Sequence, residues 1–242
     1  IGDMECIGHG RTMPRHRLCA RELARQGCDK GDHMTGRIIE TSDDLAEGME
    51  WLVQREKLFA QAYELTGELP LRRKPEGFAE LLSAIVSQQV SVASARAIWG
   101  RVSAAGLVTP EAVAAASDDD LRACGLSRPK LRYARALAEA DLDFAALRFM
   151  PDEKIITQLV EIPGIGRWTA EIYAMFSLGR ADVFAHNDLA LQEAARLLFA
   201  LDTRPNERQM RIIAADWSPW RAVAARLLWA YYRVAKEREG IR

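Results

Sequence analysis

The sequence predicts an all-α fold, and three observations predict it. From Thr41 onward, apolar residues recur at three- and four-residue spacing. Capping residues, glycines and prolines punctuate these runs at helix-like intervals. No segment alternates apolar and polar residues for long enough to make a strand.

Each element follows in order. Ser42 caps a predicted helix reaching about Leu65, with Leu45, Met49, Leu52, Leu58, Ala62 and Leu65 on one stripe. Gly67 and Pro70 end it, and Pro75-Glu76-Gly77 opens the next. Phe78–Val86 and Ser91–Val102 read as two apolar helices around the turn Ser87-Gln88-Gln89-Val90. Ser117 caps a short acidic helix that ends at Gly125, and Ser127 caps another with Pro129 in its first turn. Later helices are predicted over about 152–161, 167–178, 186–200, 205–216 and 219–237.

Composition bounds the function. The chain has 242 residues, 49% hydrophobic and 28% charged, which fits a soluble globular protein of one or two domains. No run is apolar enough to span a membrane. A net charge of −1 gives no overall basic signature, so nucleic-acid binding would have to use a local basic face and backbone donors. Cys6, Cys19 and Cys28 fall in the first 28 residues and leave Cys124 alone in the remainder. With no CxxC, neither a zinc site nor an iron–sulfur cluster is expected, and the body reads as reduced and intracellular. His9, His16 and His33 share that early stretch, but the Cys/His spacing fits no metal pattern. Residues 1–36 lack a sustained period and an apolar signal region, and read as an extension ahead of a start near Met34.

The most informative stretch is Val160-Glu161-Ile162-Pro163-Gly164-Ile165-Gly166-Arg167-Trp168-Thr169-Ala170. Pro163 stops one helix, and Gly164 and Gly166 permit positive φ with no side chain over the turn. The N–H groups of Gly164, Ile165 and Gly166 then head the next helix, whose dipole favours an anion. Such a grip reads phosphate rather than base edges. A plain helix–helix connection is the competing reading. The packing register of Leu159, Ile162, Ile165 and Ala170 favours the grip.

Downstream lies Gly179-Arg180-Ala181-Asp182-Val183-Phe184-Ala185-His186-Asn187-Asp188. Asn187 or His186 sits where a helix begins, which places Asp188 in its first turn, 22 residues beyond Gly166. An ordinary capping role competes with a catalytic one. If the intervening helix doubles back, the carboxylate faces the groove of the phosphate grip.

With these motifs in order, followed by Trp217-Ser218-Pro219-Trp220-Arg221 and Ala224–Trp229, residues 42–236 resemble the helix-hairpin-helix base-excision DNA glycosylases. Within them the 3-methyladenine DNA glycosylase II branch is the nearest in pattern. The resemblance implies two helical subdomains with a DNA- and base-binding cleft between them. One would comprise 37–76 and 181–242; the other, 77–180, would end in the helix-hairpin-helix at about 153–178. An N-terminal β domain, common in that branch, has no room here.

The resemblance also implies site residues. Asp188 matches the catalytic carboxylate, and Trp168 and Trp220 match aromatic walls of a base pocket. Gln89 matches the wedge that fills the gap left by the extruded nucleotide. Gly164, Ile165, Gly166, Arg167 and Thr169 match the phosphate-binding segment, with Arg221 and Arg128 as further candidates. Relatives that also cut the strand carry a lysine where this chain has Trp168, so a monofunctional enzyme leaving an abasic site is implied. Two tyrosine positions of the best-known pocket fall on Ile172 and Leu189.

The expected substrate is duplex DNA containing alkylated purines of the 3-methyladenine or 7-methylguanine type, the protein acting as a monomer. No cofactor is expected, apart from a sodium or potassium ion that relatives hold on hairpin carbonyls near Val160, Ile162 and Ile165. Two alternatives stay open: a related uracil, mismatch or adenine glycosylase, and a catalytically silent DNA-structure binder.

Overall fold

The structure is a computed structural model and describes residues 36–238. The expectations for Cys6, Cys19, Cys28, His9, His16 and His33 lie outside the described residues. Among those described there is no strand, only an isolated antiparallel bridge between Ile38 and Arg180. The fold is all-α.

Thirteen α-helices follow one another among the described residues. They are α1 (Ser42–Arg55), α2 (Lys57–Thr66), α3 (Phe78–Ser87), α4 (Val92–Ala104), α5 (Pro110–Ala115), α6 (Asp118–Ala123) and α7 (Arg128–Glu139). After them come α8 (Phe144–Leu147), α9 (Asp152–Val160), α10 (Arg167–Phe176), α11 (Leu189–Leu198), α12 (Glu207–Ile213) and α13 (Arg221–Arg238). A 3-10 turn, Ala214–Trp217, links the last two.

The first expected helix is two. Thr41 rather than Ser42 is the N-cap, closed into a capping box with Asp44. Glu56 then breaks the helix and caps α2 by accepting the Leu58 N–H. The break resets the helical phase, so α2 buries Phe59 and Ala62 while Leu65 is exposed.

Packing divides the helices. Long α13 contacts α1, α2 and α11, while α3 packs on α4 and α7, and α7 on α5 and α6. Helices α9 and α10 form the hairpin pair. Gly48 lets α1 approach α13: a Cβ there would lie 2.6 Å from the Trp220 ring and 2.7 Å from Val223. Arg180, fully buried, donates to the carbonyls of Leu147, Arg148 and Met150, fastening the end of α8 just ahead of α9. The Gly77 N–H donates to the Tyr173 hydroxyl at 2.8 Å, joining the start of α3 to α10.

Candidate active site and nucleic-acid interface

The α9–α10 corner is built by one glycine in each of two different roles. Gly164 has φ +93, and a Cβ there would fall 2.3 Å from the Tyr133 ring of α7, so only glycine fits. Gly166, expected to share that conformation, is instead the extended N-cap of α10 with φ −81. It offers no side chain to close over the first turn, leaving the leading N–H groups of Arg167, Trp168 and Thr169 without helical acceptors. The Ile165 N–H is spent inside the turn on the Ile162 carbonyl at 3.0 Å, and Ile165 itself is buried. Of the three donors the sequence suggested, the Ile165 N–H is therefore taken, and the first-turn N–H groups of α10 extend the set.

The corner is tied to the α3–α4 turn. Gln88 Nε2 donates to the Gly164 carbonyl at 2.8 Å, so this half-buried glutamine is a strut rather than a loose turn residue. Its neighbour Gln89 is exposed and holds a left-handed backbone, φ +54. Lys130 supports the same turn from α7, its buried Nζ donating to the Val86 carbonyl at 2.7 Å.

Asp188 is the N-cap of α11 rather than a first-turn residue, because the helix begins at Leu189, two or three residues later than expected. Its Oδ1 accepts from the N–H groups of Ala190 and Leu191, each at 2.9 Å. Oδ2 accepts from Trp168 Nε1 at 2.8 Å, and Trp229 Nε1 reaches Oδ1 at 3.3 Å. The carboxylate is thus fixed by one helix end and two indoles, and remains partly open. It lines a pocket of about 280 Å³ with Trp168, Ile172, Phe176, Trp229 and Tyr232, rimmed by Arg72 and Arg233. Trp168 itself is 48% exposed. Helix α10 does double back, since its first turn carries Trp168 to the N-terminus of α11.

The corner, the capping aspartate and the Trp168 indole all fall within one stretch of sequence that matches a known family. The model of the HhH-GPD superfamily of base excision DNA repair proteins matches residues 82–219. The chain belongs to this superfamily. It is 31% identical over 178 residues to DNA-3-methyladenine glycosylase 1 of Schizosaccharomyces pombe, covering 70% of this chain and 78% of that one. DNA-3-methyladenine glycosylase 2 of Escherichia coli is 29% identical over 168 residues, 64% of this chain and 57% of that protein. Among solved structures, a DNA-3-methyladenine glycosidase from Bacillus halodurans superposes with a TM-score of 0.72 at 34% identity, covering 84% of this chain and 95% of that one. The S. pombe 3-methyladenine DNA glycosylase in complex with abasic DNA superposes with a TM-score of 0.65 at 30% identity, covering 76% and 95%.

Several expected HhH-GPD site residues stand elsewhere. Trp220 does not face the Asp188 pocket: it is 4% exposed, wedged against Gly48, with the Arg37 guanidinium over its ring. Trp229 takes the pocket position instead. Both belong to the same sequence motif, and the signal that separates them is helical: Trp229, Tyr232 and Arg233 share one face of α13 at i, i+3 and i+4. Arg221 is held by Asp182 in a two-pronged pair at 2.7 and 2.9 Å, which Ser218 Oγ joins at 2.8 Å. That arginine is a brace between the loop and α13.

Arg167 is likewise engaged, by Glu153 at 2.8 Å and Glu171 at 3.0 Å. Thr169 is buried and lines a second cavity, between α3 and α10, so its side chain is turned away from solvent. Arg128 is exposed at the start of α7, beside the groove formed by Gln89, Lys130 and the hairpin. Leu189 is 60% exposed next to Asp188, and Ile172 lines both cavities.

Two buried titratable groups lie behind the site. Burial pushes the Glu171 carboxyl up to about 7 against the pull of Arg167. His186 packs on the Phe184 ring, and burial, reinforced by Arg211 and Arg221, pushes its imidazole down to about 4. A histidine so placed is neutral near pH 7, and it does not line the Asp188 pocket. Among the described residues no group of three or more His, Cys, Asp or Glu side chains could hold a metal ion, and no helix is long and apolar enough to cross a membrane.

Proposed function

We propose that this protein is a monofunctional DNA glycosylase that extrudes an alkylated purine from duplex DNA and hydrolyses its glycosidic bond. The observation that carries the reading is the meeting of Asp188 with Trp168 and Trp229 in one pocket. A 3-methyladenine or 7-methylguanine nucleotide is cationic, and electron-rich indoles attract such a ring by stacking and cation–π contact.

In the proposed reaction the extruded base enters between the indoles, with its sugar against Asp188. Leaving-group departure moves the C1′–N electron pair onto the base and builds oxocarbenium character on the sugar. A fixed carboxylate beside it stabilises that charge and orients the incoming water. Water oxygen then bonds to C1′, its proton is lost, and an abasic site remains. Among the described residues no lysine lines the Asp188 pocket, which supports the absence of Schiff-base strand cleavage.

The DNA would lie across the hairpin corner. The first-turn N–H groups of α10 would take a phosphate, Gln89 would enter the stack, and Gln88 would couple the two. Hairpin carbonyls of Val160, Ile162 and Ile165 are the groups that would hold a sodium or potassium ion there. The chemistry needs no other cofactor, and one chain contains every group invoked, so the proposed working unit is a monomer.

A panel of defined lesion duplexes, scored for released base and for strand breaks before alkali, tests this reading. Release of alkylpurines without strand breaks is expected. Tight binding with no release of any base would convert the protein into a DNA-structure binder. Selective release of uracil or mismatched bases would redirect the specificity.

A further inference from the structure

We infer that the cavity between α3 and α10 is a second subsite, one that takes a neutral purine base after its glycosidic bond has broken. The inference rests on the glycosylase reading above. The cavity, about 230 Å³, shares Trp168 and Ile172 with the catalytic pocket but excludes Asp188. A base still joined to its sugar must keep its glycosidic nitrogen beside Asp188, which lines only the other pocket. A free base is not.

The walls suit such a ligand. Leu81, Ala84 and Ile172 supply apolar contact and Trp168 an aromatic edge, while Ser83 and Ser87 supply hydroxyls. Deeper in, Ser177 is 1% exposed and its Oγ has no hydrogen-bond partner. A buried hydroxyl left unpaired is destabilising, and a ring nitrogen or amino group on a ligand would satisfy it. The ionic groups in the wall cancel: Lys74 Nζ lies 2.6 Å from Glu80 Oε1. A cation or a phosphate would have to break that pair, whereas an uncharged ring leaves it intact.

The chemistry of release supplies the driving force. An alkylpurine that is cationic in the nucleotide becomes neutral when it leaves with the C1′–N electron pair. Its cation–π attraction to the indoles ends at that moment. An adjoining polar slot with no net charge is then the better host.

Equilibrium dialysis of free adenine and free 7-methylguanine against the wild-type protein, Ala84→Leu, Ser177→Ala and Trp229→Ala tests the subsite. Wild type should bind. Ala84→Leu, which fills the cavity from α3, should weaken binding about tenfold or more. Ser177→Ala, which removes one neutral hydrogen bond with little effect on folding, should weaken it about two- to tenfold. Trp229→Ala should retain it. Single-turnover base release from methylated DNA should be unchanged in Ala84→Leu and Ser177→Ala. The subsite is overturned if wild type binds no free base, or if binding is lost in Trp229→Ala and kept in Ala84→Leu. Failure of the glycosylase reading is separate, because it would show as no base released from DNA by wild type.

Discussion

The indole nitrogen of Trp168 donates to Asp188 Oδ2 at 2.8 Å, so the residue that walls the pocket also aims the carboxylate. A bond of this kind joins the first turn of α10 to the N-terminus of α11 and makes the hairpin and the Asp188 pocket one unit. Trp168→Phe keeps the aromatic wall and removes the donor. Hydrogen bonds to charged groups contribute about 1.5–3 kcal/mol, so the single-turnover rate should fall roughly ten- to hundredfold with little change in DNA affinity. A rate equal to wild type would reduce the contact to a packing detail.

The two tryptophans of the C-terminal motif should separate cleanly. Trp220→Ala empties a buried site between α1 and α13 and should cost about 3–5 kcal/mol of stability, read by denaturant unfolding. Trp229→Ala, at the mouth of the pocket, should be milder in stability and should slow release of cationic bases more than of neutral ones.

Gln88 and Gln89 are neighbours with different expected roles. Gln88→Ala breaks the strut to the Gly164 carbonyl and should weaken binding to any duplex about two- to tenfold, measured by fluorescence anisotropy. Gln89→Ala should leave binding to undamaged DNA near wild type and slow base release, since under the proposed role its side chain acts only when a nucleotide is extruded.

Stability should respond to pH through two opposed groups. The Glu171 pKa is raised to about 7 in the folded protein, above the ordinary 4.5. The folded state therefore holds a proton the unfolded state has lost, and this contribution fades as pH rises from about 4.5 to 7. His186 is lowered to about 4 from 6.5, so the unfolded state takes the proton first, and this contribution fades as pH falls from about 6.5 to 4. Glu171→Gln should flatten the neutral-side decline and His186→Gln the acid-side decline in urea-unfolding series. A parallel pH profile in both variants would contradict these assignments.

Much of this was legible in the sequence for a physical reason: helical period, caps and breakers are local signals. Period and punctuation identify the helices from α3 onward to within a few residues, apart from α8, too brief to show a period, and α5, which was not expected although its Thr109 cap and Pro110 start signal it. The hidden features are those that depend on a partner far along the chain. Nothing local says that Tyr133 would fill the space under Gly164, that Asp182 would occupy Arg221, or that Glu153 would join Glu171 on Arg167. The placing of Asp188 at a helix start was readable because capping is a local signal. Trp220 misled because a motif gives residue types without the direction in which each one faces.

The central claim is that the Asp188 carboxylate carries the bond-breaking step. Asn is as good a helix cap as Asp: its Oδ1 can keep the Ala190 and Leu191 N–H groups while its amide gives up the Trp168 bond, so Asp188→Asn should still fold and hold DNA as wild type does. Single-turnover release of 7-methylguanine from methylated duplex measures the rest. The account predicts a loss of about 10²–10⁴ in rate with DNA affinity retained. A variant that releases base at the wild-type rate would contradict it.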